Sequence, residues 1–225
     1  MSVNVFVVAA ICGNWWVESG VNPGIWENLT VGAPGYGLGQ WTDITTQSGS
    51  VYRRTQLFNY LSANGYAQDS GDGQLAFFLY ENYWIPGSSY YGNLFTDLQD
   101  FLSYVPASPT NQELETLTYA FQQGWEMPIA AQPIRYQYAL DVLNYLVNNI
   151  NNPRVPWVSG NYYLPAGDRY SNCMLIYDYL NGYIPPTPPT PTVLPNYLKA
   201  GLKHIMKKRK KGLYDPSKRK RTILF

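Results

Sequence analysis

Histidine is almost missing from this chain of 225 residues, since His204 is its only one, and cysteine occurs twice. A zinc site needs several histidine, cysteine or carboxylate ligands at close spacing, and a cysteine-histidine hydrolase needs both residue types in one cleft. The sequence shows neither grouping, so we expect no metal and no other cofactor. Any catalytic chemistry should therefore rest on carboxylates.

The two cysteines, Cys12 and Cys173, lie far apart in the sequence, and Cys12 stands among apolar residues of a predicted helix. Cysteine in such surroundings usually behaves as a small buried hydrophobic residue. Two buried free thiols are therefore favoured, with a disulfide between them as the alternative.

Lysine is absent from residues 1–195, which contain 5 arginines against 14 acidic residues. Residues 196–225 contain 11 basic residues and one acidic residue, so the near-neutral total hides two oppositely charged pieces. Between them, proline and threonine dominate residues 185–195, which predicts an extended polyproline II linker. The tail, 196–225, has an apolar stripe typical of an amphipathic helix that binds an anionic membrane, nucleic acid or a protein; the alternative is a disordered tail.

Glu18 is the first candidate catalytic residue. If the apolar segment before it is a helix, Val7, Ile11 and Trp15 are spaced by four residues and Glu18 continues their buried stripe. Burial disfavours a charged carboxylate and raises its pKa, which suits a general acid that cleaves a glycosidic bond. The alternative is an ordinary solvated glutamate at a helix end.

Four segments occur in an order that resembles the phage tail lysozyme family, whose members cut peptidoglycan from the tip of an infecting virion. They are AICGNWWVESGVNPGIWENL, GYGLGQWT, QLAFFLYE and AFQQGWEMP, and they span Ala10 to Pro128. The Glu-Ser, Asn-Pro and Gly-Leu-x-Gln pattern is also similar to soluble lytic transglycosylases and goose-type lysozymes. Met127 stands where the phage members often carry arginine, which is a departure from the family pattern.

The resemblance implies that Glu18 is the catalytic acid and that Gln40 helps to hold the sugar or the attacking water. The wider set of implied substrate-binding residues is Tyr36, Gly37, Gly39, Gln40, Trp41, Gln122 and Glu126. A muramidase needs a second group, for which the candidates are Asp43, Glu81, Glu126 and Glu27. A lytic transglycosylase would need only Glu18, first as acid and then as base.

Helical spacing of apolar residues predicts a mainly α protein. The predicted domains are a lysozyme-like catalytic domain over 1–150, a tyrosine-rich extension packed on or beside it over 151–184, the linker and the basic tail. Thr110 or Asn111 is predicted to cap one helix. The predicted helices after the first are Arg54–Ala63, Gln74–Tyr83, Phe95–Tyr104, Asn111–Gly124 and Pro133–Asn148.

These patterns predict a phage-type glycosidase that cleaves the bond between N-acetylmuramic acid and N-acetylglucosamine, with peptidoglycan and other virion proteins as partners. The apolar start is about half the ~20 residues that a membrane helix needs and has no basic leader, which predicts synthesis in the host cytoplasm and virion association. One alternative is a virion structural or wall-binding protein with little turnover. The other is a nucleic-acid-binding virion protein that acts through its basic tail.

Overall fold

The most apolar segment of the chain forms the central helix α1 (Val5–Ser19). The computed structural model of the chain describes residues 3–46, 49–85, 91, 94–107, 109–126 and 132–182. Asn4 caps α1 by accepting a hydrogen bond from the backbone N–H of Phe6 at 2.9 Å, and Gly20 ends it with a left-handed φ of 63°. Residues 7–16 are all buried, so α1 is enclosed on every side and has no single apolar stripe.

The remaining helices of the described residues pack on α1 or on one another, and the predicted mainly α class is confirmed. α5 (Asn111–Phe121) continues into a π-helical turn, Gln122–Glu126, where the sequence predicted an uninterrupted helix. Thr110 caps α5 as predicted, because its hydroxyl accepts a hydrogen bond from the N–H of Glu113 at 3.2 Å. The helices are α2 (Arg53–Ala63), α3 (Gly71–Glu81), α4 (Leu98–Ser103), α5 (Asn111–Phe121), α6 (Pro133–Asn149) and α7 (Ala166–Leu180).

Two helices begin three residues away from their predicted first residues, because polar caps decide where they begin. α3 starts three residues before the predicted Gln74, since the Ser70 hydroxyl accepts a hydrogen bond from the Gly73 N–H at 3.1 Å. α4 starts three residues after the predicted Phe95, because the Asp97 carboxylate caps it through the Asp100 N–H at 2.8 Å. Short polar side chains thus set helix starts that apolar spacing alone placed only roughly.

A small antiparallel sheet, which the sequence did not predict, lies between α1 and α2. Its order is β1 (Gly35–Tyr36), β2 (Trp41–Thr46), β3 (Gly49–Tyr52), with Tyr36 opposite Trp41. The Gly-Leu-Gly-Gln motif, residues 37–40, is the tight turn between β1 and β2. Gly37 and Gln40 have φ values of 76° and 47°, a region that L-residues other than glycine rarely adopt. The sheet therefore carries this motif toward the end of α1.

An aromatic cluster fills the centre of the described fold. The indole of Trp15 lies 5.3 Å from the ring of Phe78 and 5.8 Å from that of Trp125, measured between ring centroids. Trp125 in turn stacks on Phe121 at 5.4 Å. These rings are fully buried, so they account for much of the apolar area that the fold removes from water.

Residues 151–182 pack against α1 and the loop that follows it. The amide of Asn22 donates hydrogen bonds to the carbonyls of Gly160 and Tyr162 at 2.7 and 2.6 Å. The amide nitrogen of the buried Asn172 likewise donates a hydrogen bond to the Val21 carbonyl at 2.8 Å. Residues 1–188 form one compact unit. The predicted linker (185–195) and basic tail (196–225) lie outside the described residues.

Cys12 and Cys173 are both buried and unbridged, as the sequence favoured. Packing of α7 on α1 nevertheless makes their thiols neighbours, and burial followed by this contact raises the pKa of the Cys12 thiol well above its usual value. None of the described helices combines the length and apolar character required to cross a bilayer. Among the described residues, no three histidine, cysteine or carboxylate side chains lie close enough together to hold a metal ion.

We predict opposite effects on stability from two helical glycine-to-alanine substitutions. A Cβ at Gly13 would lie 2.7 Å from the Cβ of Ala139 and 2.7 Å from the Arg135 carbonyl, so Gly13→Ala must push α1 and α6 apart. It should lower the free energy of unfolding by about 1–3 kcal/mol. A Cβ at Gly167 would have no atom within 4 Å, so Gly167→Ala should raise the free energy of unfolding by about 0.5–1 kcal/mol. Urea unfolding of both variants is the measurement, and equal effects would contradict the close α1–α6 contact.

Candidate active site

A cleft of about 560 Å³ opens beside the end of α1. Three carboxylates, Glu18, Glu27 and Glu126, line this Glu18 cleft together with Gln40 and Arg53. Glu18 comes from the last turn of α1, Gln40 from the turn between β1 and β2, and Glu126 from the π-helical turn after α5. Glu18 belongs to the first of the four segments noted in the sequence, Gln40 to the second and Glu126 to the fourth. The fold thus brings three of those segments together at one cleft.

Glu18 forms an ion pair with Arg135, through Oε1 of the carboxylate and Nη2 of the guanidinium. The Arg135 side chain is 3% exposed and that of Glu18 is 25% exposed. The predicted burial of Glu18 is therefore only partial, because the carboxylate faces the cleft on one side. A buried arginine that meets a carboxylate holds its orientation as well as balancing its charge.

Arg135 is itself held by polar groups from two helices. Its Nη1 donates to Asn14 Oδ1 at 3.2 Å, and its Nε donates to Gln132 Oε1 at 3.0 Å. The Asn14 amide nitrogen donates to the carbonyls of Ala10 and Thr118 at 2.8 and 3.0 Å, which turns Oδ1 toward the guanidinium. A buried hydrogen-bond network therefore links α5, α1 and α6 to Glu18.

Sequence analysis did not identify Arg135, although a signal for it exists. Arg135 stands at the start of the buried face of α6, which continues with Ala139, Val142 and Leu146. An arginine on an apolar helix face is rarely buried without a partner. Its partner lies 117 residues earlier, so apolar spacing marks the position but does not name Glu18.

Glu126 is the carboxylate with the most altered acidity in the cleft. Burial, followed by the negative charge of Glu18, raises the pKa of Glu126 well above its usual value, against the opposing charges of Arg135 and Arg53. Its Oε1 is buried, and contact with the Trp15 side chain opposes the rise in pKa only in part. Ionisation would leave a poorly compensated buried charge, which favours the protonated form of this carboxyl.

The glycines of the 37–40 turn are required by packing. A Cβ at Gly37 would lie 2.4 Å from Gln74 Oε1, and one at Gly39 would lie 2.3 Å from the Trp125 ring. Gly39 also lines the Glu18 cleft, whereas Gly37 faces the buried Gln74. The Gln40 amide nitrogen donates to the Gly37 carbonyl at 3.0 Å, which fixes the side chain at the cleft wall.

Three residues that the resemblance assigned to the cleft lie in the core, which differs from the prediction. Tyr36 is 3% exposed and its ring packs 4.7 Å from that of Trp26. Trp41 is fully buried and its indole N–H donates to Glu81 Oε1 at 2.8 Å. Gln122 is fully buried and accepts a hydrogen bond from the Gln132 N–H at 3.2 Å. These aromatic and amide side chains thus pack in the core behind the cleft and do not line it.

The candidates for a second catalytic group differ in the residues with which their carboxylates pair. Glu81 is paired with Arg53 at 2.8 Å. Partial burial raises the pKa of Asp43, but hydrogen bonds from Thr55 and the charge of Arg54 outweigh it and hold that pKa below its usual value. Met127, noted as a departure from the family pattern, lies outside the described residues.

Glu27, by contrast, is exposed in the Glu18 cleft and accepts one hydrogen bond, from the Gly35 N–H at 3.1 Å. Glu27 and Glu126 are therefore the two candidates that share the cleft with Glu18.

Comparison with known proteins identifies the family of the chain. The family model of phage tail lysozyme matches residues 6–146, which is more than half of the chain. The chain belongs to the phage tail lysozyme family. The matched region includes α1, the sheet, the π-helical turn and the first fourteen residues of α6, so the whole Glu18 cleft lies inside the family's domain. Most of the extension, including α7, follows the matched region.

A curated relative of the chain is morphogenesis protein 1 of Bacillus phage B103. The two are 40% identical over 77 residues, which is 32% of this chain and 18% of the relative. The aligned part thus spans less than a fifth of that protein's length.

We predict that Glu126 makes stability depend on pH. The folded-state pKa of Glu126 is raised, whereas the unfolded chain releases this proton near about pH 4.3. The contribution of Glu126 to the free energy of unfolding is therefore fully present below that pH. It falls as the pH rises above it, by up to about 1.4 kcal/mol per pH unit. Glu126→Gln, which cannot ionise, should remove this part of the decline.

Thermal unfolding across the range from about pH 4 to pH 8 measures the effect. Glu27→Gln is the matched control, because it neutralises an exposed carboxylate of the same cleft and should follow the wild type. A Glu126→Gln curve parallel to the wild-type curve would show that Glu126 ionises normally in the folded protein.

Proposed function

We propose that the chain is a peptidoglycan glycosidase that cleaves the β-1,4 bond between N-acetylmuramic acid and N-acetylglucosamine, with Glu18 as general acid. The observation that carries this proposal is the placement of Glu18 and Gln40 on the walls of one cleft in a member of the phage tail lysozyme family. A positioned carboxylic acid is the group that glycosidases use to protonate the leaving oxygen.

In this mechanism Arg135 orients Glu18 through one carboxyl oxygen and leaves the other for the substrate. Glu18 gives its proton to the bridging oxygen as the bond from that oxygen to C1 of the muramoyl unit breaks. The electron pair of that bond stays on the leaving oxygen, and positive charge develops at C1. Glu126 shares the cleft, and because burial raises its pKa it adds less negative charge beside Glu18 than an ordinary glutamate would.

Two outcomes follow from the oxocarbenium-like state. In a muramidase, water attacks C1, loses a proton to a base and produces a reducing muramyl end. In a lytic transglycosylase, the ionised Glu18 takes the proton from the muramyl 6-hydroxyl, whose oxygen then closes a 1,6-anhydro ring. We propose Glu27 as the second group of the muramidase route, because it is the exposed carboxylate of the cleft and no arginine pairs with it among the described residues.

Digestion of purified peptidoglycan by the wild type and Glu18→Gln tests the enzyme proposal. Mass spectrometry of the released muropeptides should show ends of one kind, anhydro or reducing, that fall at least about 100-fold in the variant, the size typical of a lost acid catalyst. Circular dichroism and thermal unfolding establish that the variant is folded. Equal and negligible release by both folded proteins would reject the glycosidase.

The same digestion with Glu27→Gln tests the second group. If the wild type produces reducing ends, we expect their release to fall about 100-fold in this variant. If the wild type produces anhydro ends, the variant should release them at the wild-type rate. Reducing ends formed at an unchanged rate would remove Glu27 from the mechanism.

A second candidate function is a virion structural or wall-binding role with little turnover, which the name of the B103 relative, morphogenesis protein 1, favours. A folded chain that sediments with peptidoglycan but releases no muropeptide would support it. In either case we propose that the protein is virion-associated. The 11 basic residues of 196–225 suit an anionic membrane or nucleic acid as a further partner.

A further inference from the structure

A second cavity, of about 310 Å³, lies on another side of Glu18. Glu18 lines both this cavity and the Glu18 cleft, so both cavities border the same candidate acid. We name it the Tyr163 cavity. Its other lining residues used below are Trp16, Ile134, Tyr138, Tyr163 and Arg169.

The wall of the Tyr163 cavity is aromatic and apolar. Trp16 and Tyr138 stack with their ring centroids 5.3 Å apart, which supports the wall from α1 and α6. Tyr163 is 63% exposed and Ile134 is 48% exposed. Exposed aromatic faces beside a glycan cleft provide surfaces on which sugar rings or methyl groups pack.

Arg169 places a positive charge in this wall. Its Nε donates to the Leu164 carbonyl at 2.7 Å, and its guanidinium lies 5.3 Å from the Trp16 ring centroid, so the side chain is held in place. No carboxylate pairs with Arg169 among the described residues, whereas the other four arginines there each form an ion pair. A fixed, unpaired guanidinium next to an apolar wall suits a carboxylate ligand.

We propose that the Tyr163 cavity is a subsite for the acidic substituent at O3 of a muramoyl unit next to the cleaved bond. The apolar wall packs against the lactyl and alanyl methyl groups, and Arg169 pairs with a carboxylate of the lactyl group or peptide stem. This inference rests on the proposed function, because it takes peptidoglycan as the substrate. Tyr163 and Arg169 lie beyond the family match, which ends at residue 146, so the extension contributes this part of the wall, including its charged group.

Binding measurements test the subsite without requiring cleavage. The probes are a disaccharide muropeptide, its lactyl derivative without peptide, and N,N′-diacetylchitobiose, which has no acidic substituent. Titration calorimetry with Arg169→Gln should show muropeptide affinity about tenfold weaker, the loss expected for one charge-assisted hydrogen bond. Arg169→Lys should recover part of the loss, and chitobiose affinity should be the same in all three proteins. The lactyl probe distinguishes the lactyl carboxylate from the stem carboxylates.

Tyr163→Ala is the second variant, because an exposed ring is removed without loss of a buried contact, and it should also weaken muropeptide binding. Tyr162→Ala is its matched control, since Tyr162 is the adjacent tyrosine, is 49% exposed and does not line the cavity.

Muropeptide affinity unchanged in both Arg169→Gln and Tyr163→Ala would overturn the subsite. Equal weakening for muropeptide and chitobiose would overturn its preference for an acid. Failure of the glycosidase itself would instead appear as intact peptidoglycan with wild-type protein.

Discussion

The ion pair between Glu18 and the buried Arg135 is the interaction on which the candidate site depends. It attaches the last turn of α1 to α6, and the Asn14 amide extends the attachment to α5 through the Thr118 carbonyl. A buried guanidinium is stable only when its donors are satisfied, so each of these groups restricts the positions of the others. The proposed acid is therefore positioned by three helices.

The same arrangement explains how three carboxylates share one small cleft. Burial, followed by the nearby Glu18, raises the pKa of Glu126 and so favours its protonated form, whereas Glu27 is exposed to solvent and accepts a hydrogen bond from the Gly35 N–H. Arg53 and Arg135 supply positive charge on two sides of the cleft. The three carboxylates thus have different surroundings, and differences of this kind separate acid and base roles in glycosidase sites.

Local sequence signals were sufficient for much of the fold. The mainly α class and the Thr110 cap followed from apolar spacing and from a short polar side chain before a helix. Helix starts shifted by three residues where Ser70 and Asp97 capped α3 and α4, because capping depends on hydrogen bonds that spacing does not report. β1 was missed because it has only two residues, too few for an alternating pattern.

The sequence by itself determined the family, the predominance of helix and the candidates Glu18 and Gln40, because these depend on residues that are close together in the chain. Only the tertiary structure decided that Arg135 pairs with Glu18, that Tyr36 and Trp41 support the cleft from the core, and that Tyr163 and Arg169 form a wall beside it. Burial and charge pairing result from contacts between residues far apart in the sequence, and packing of α1, α6 and α7 brings those residues together.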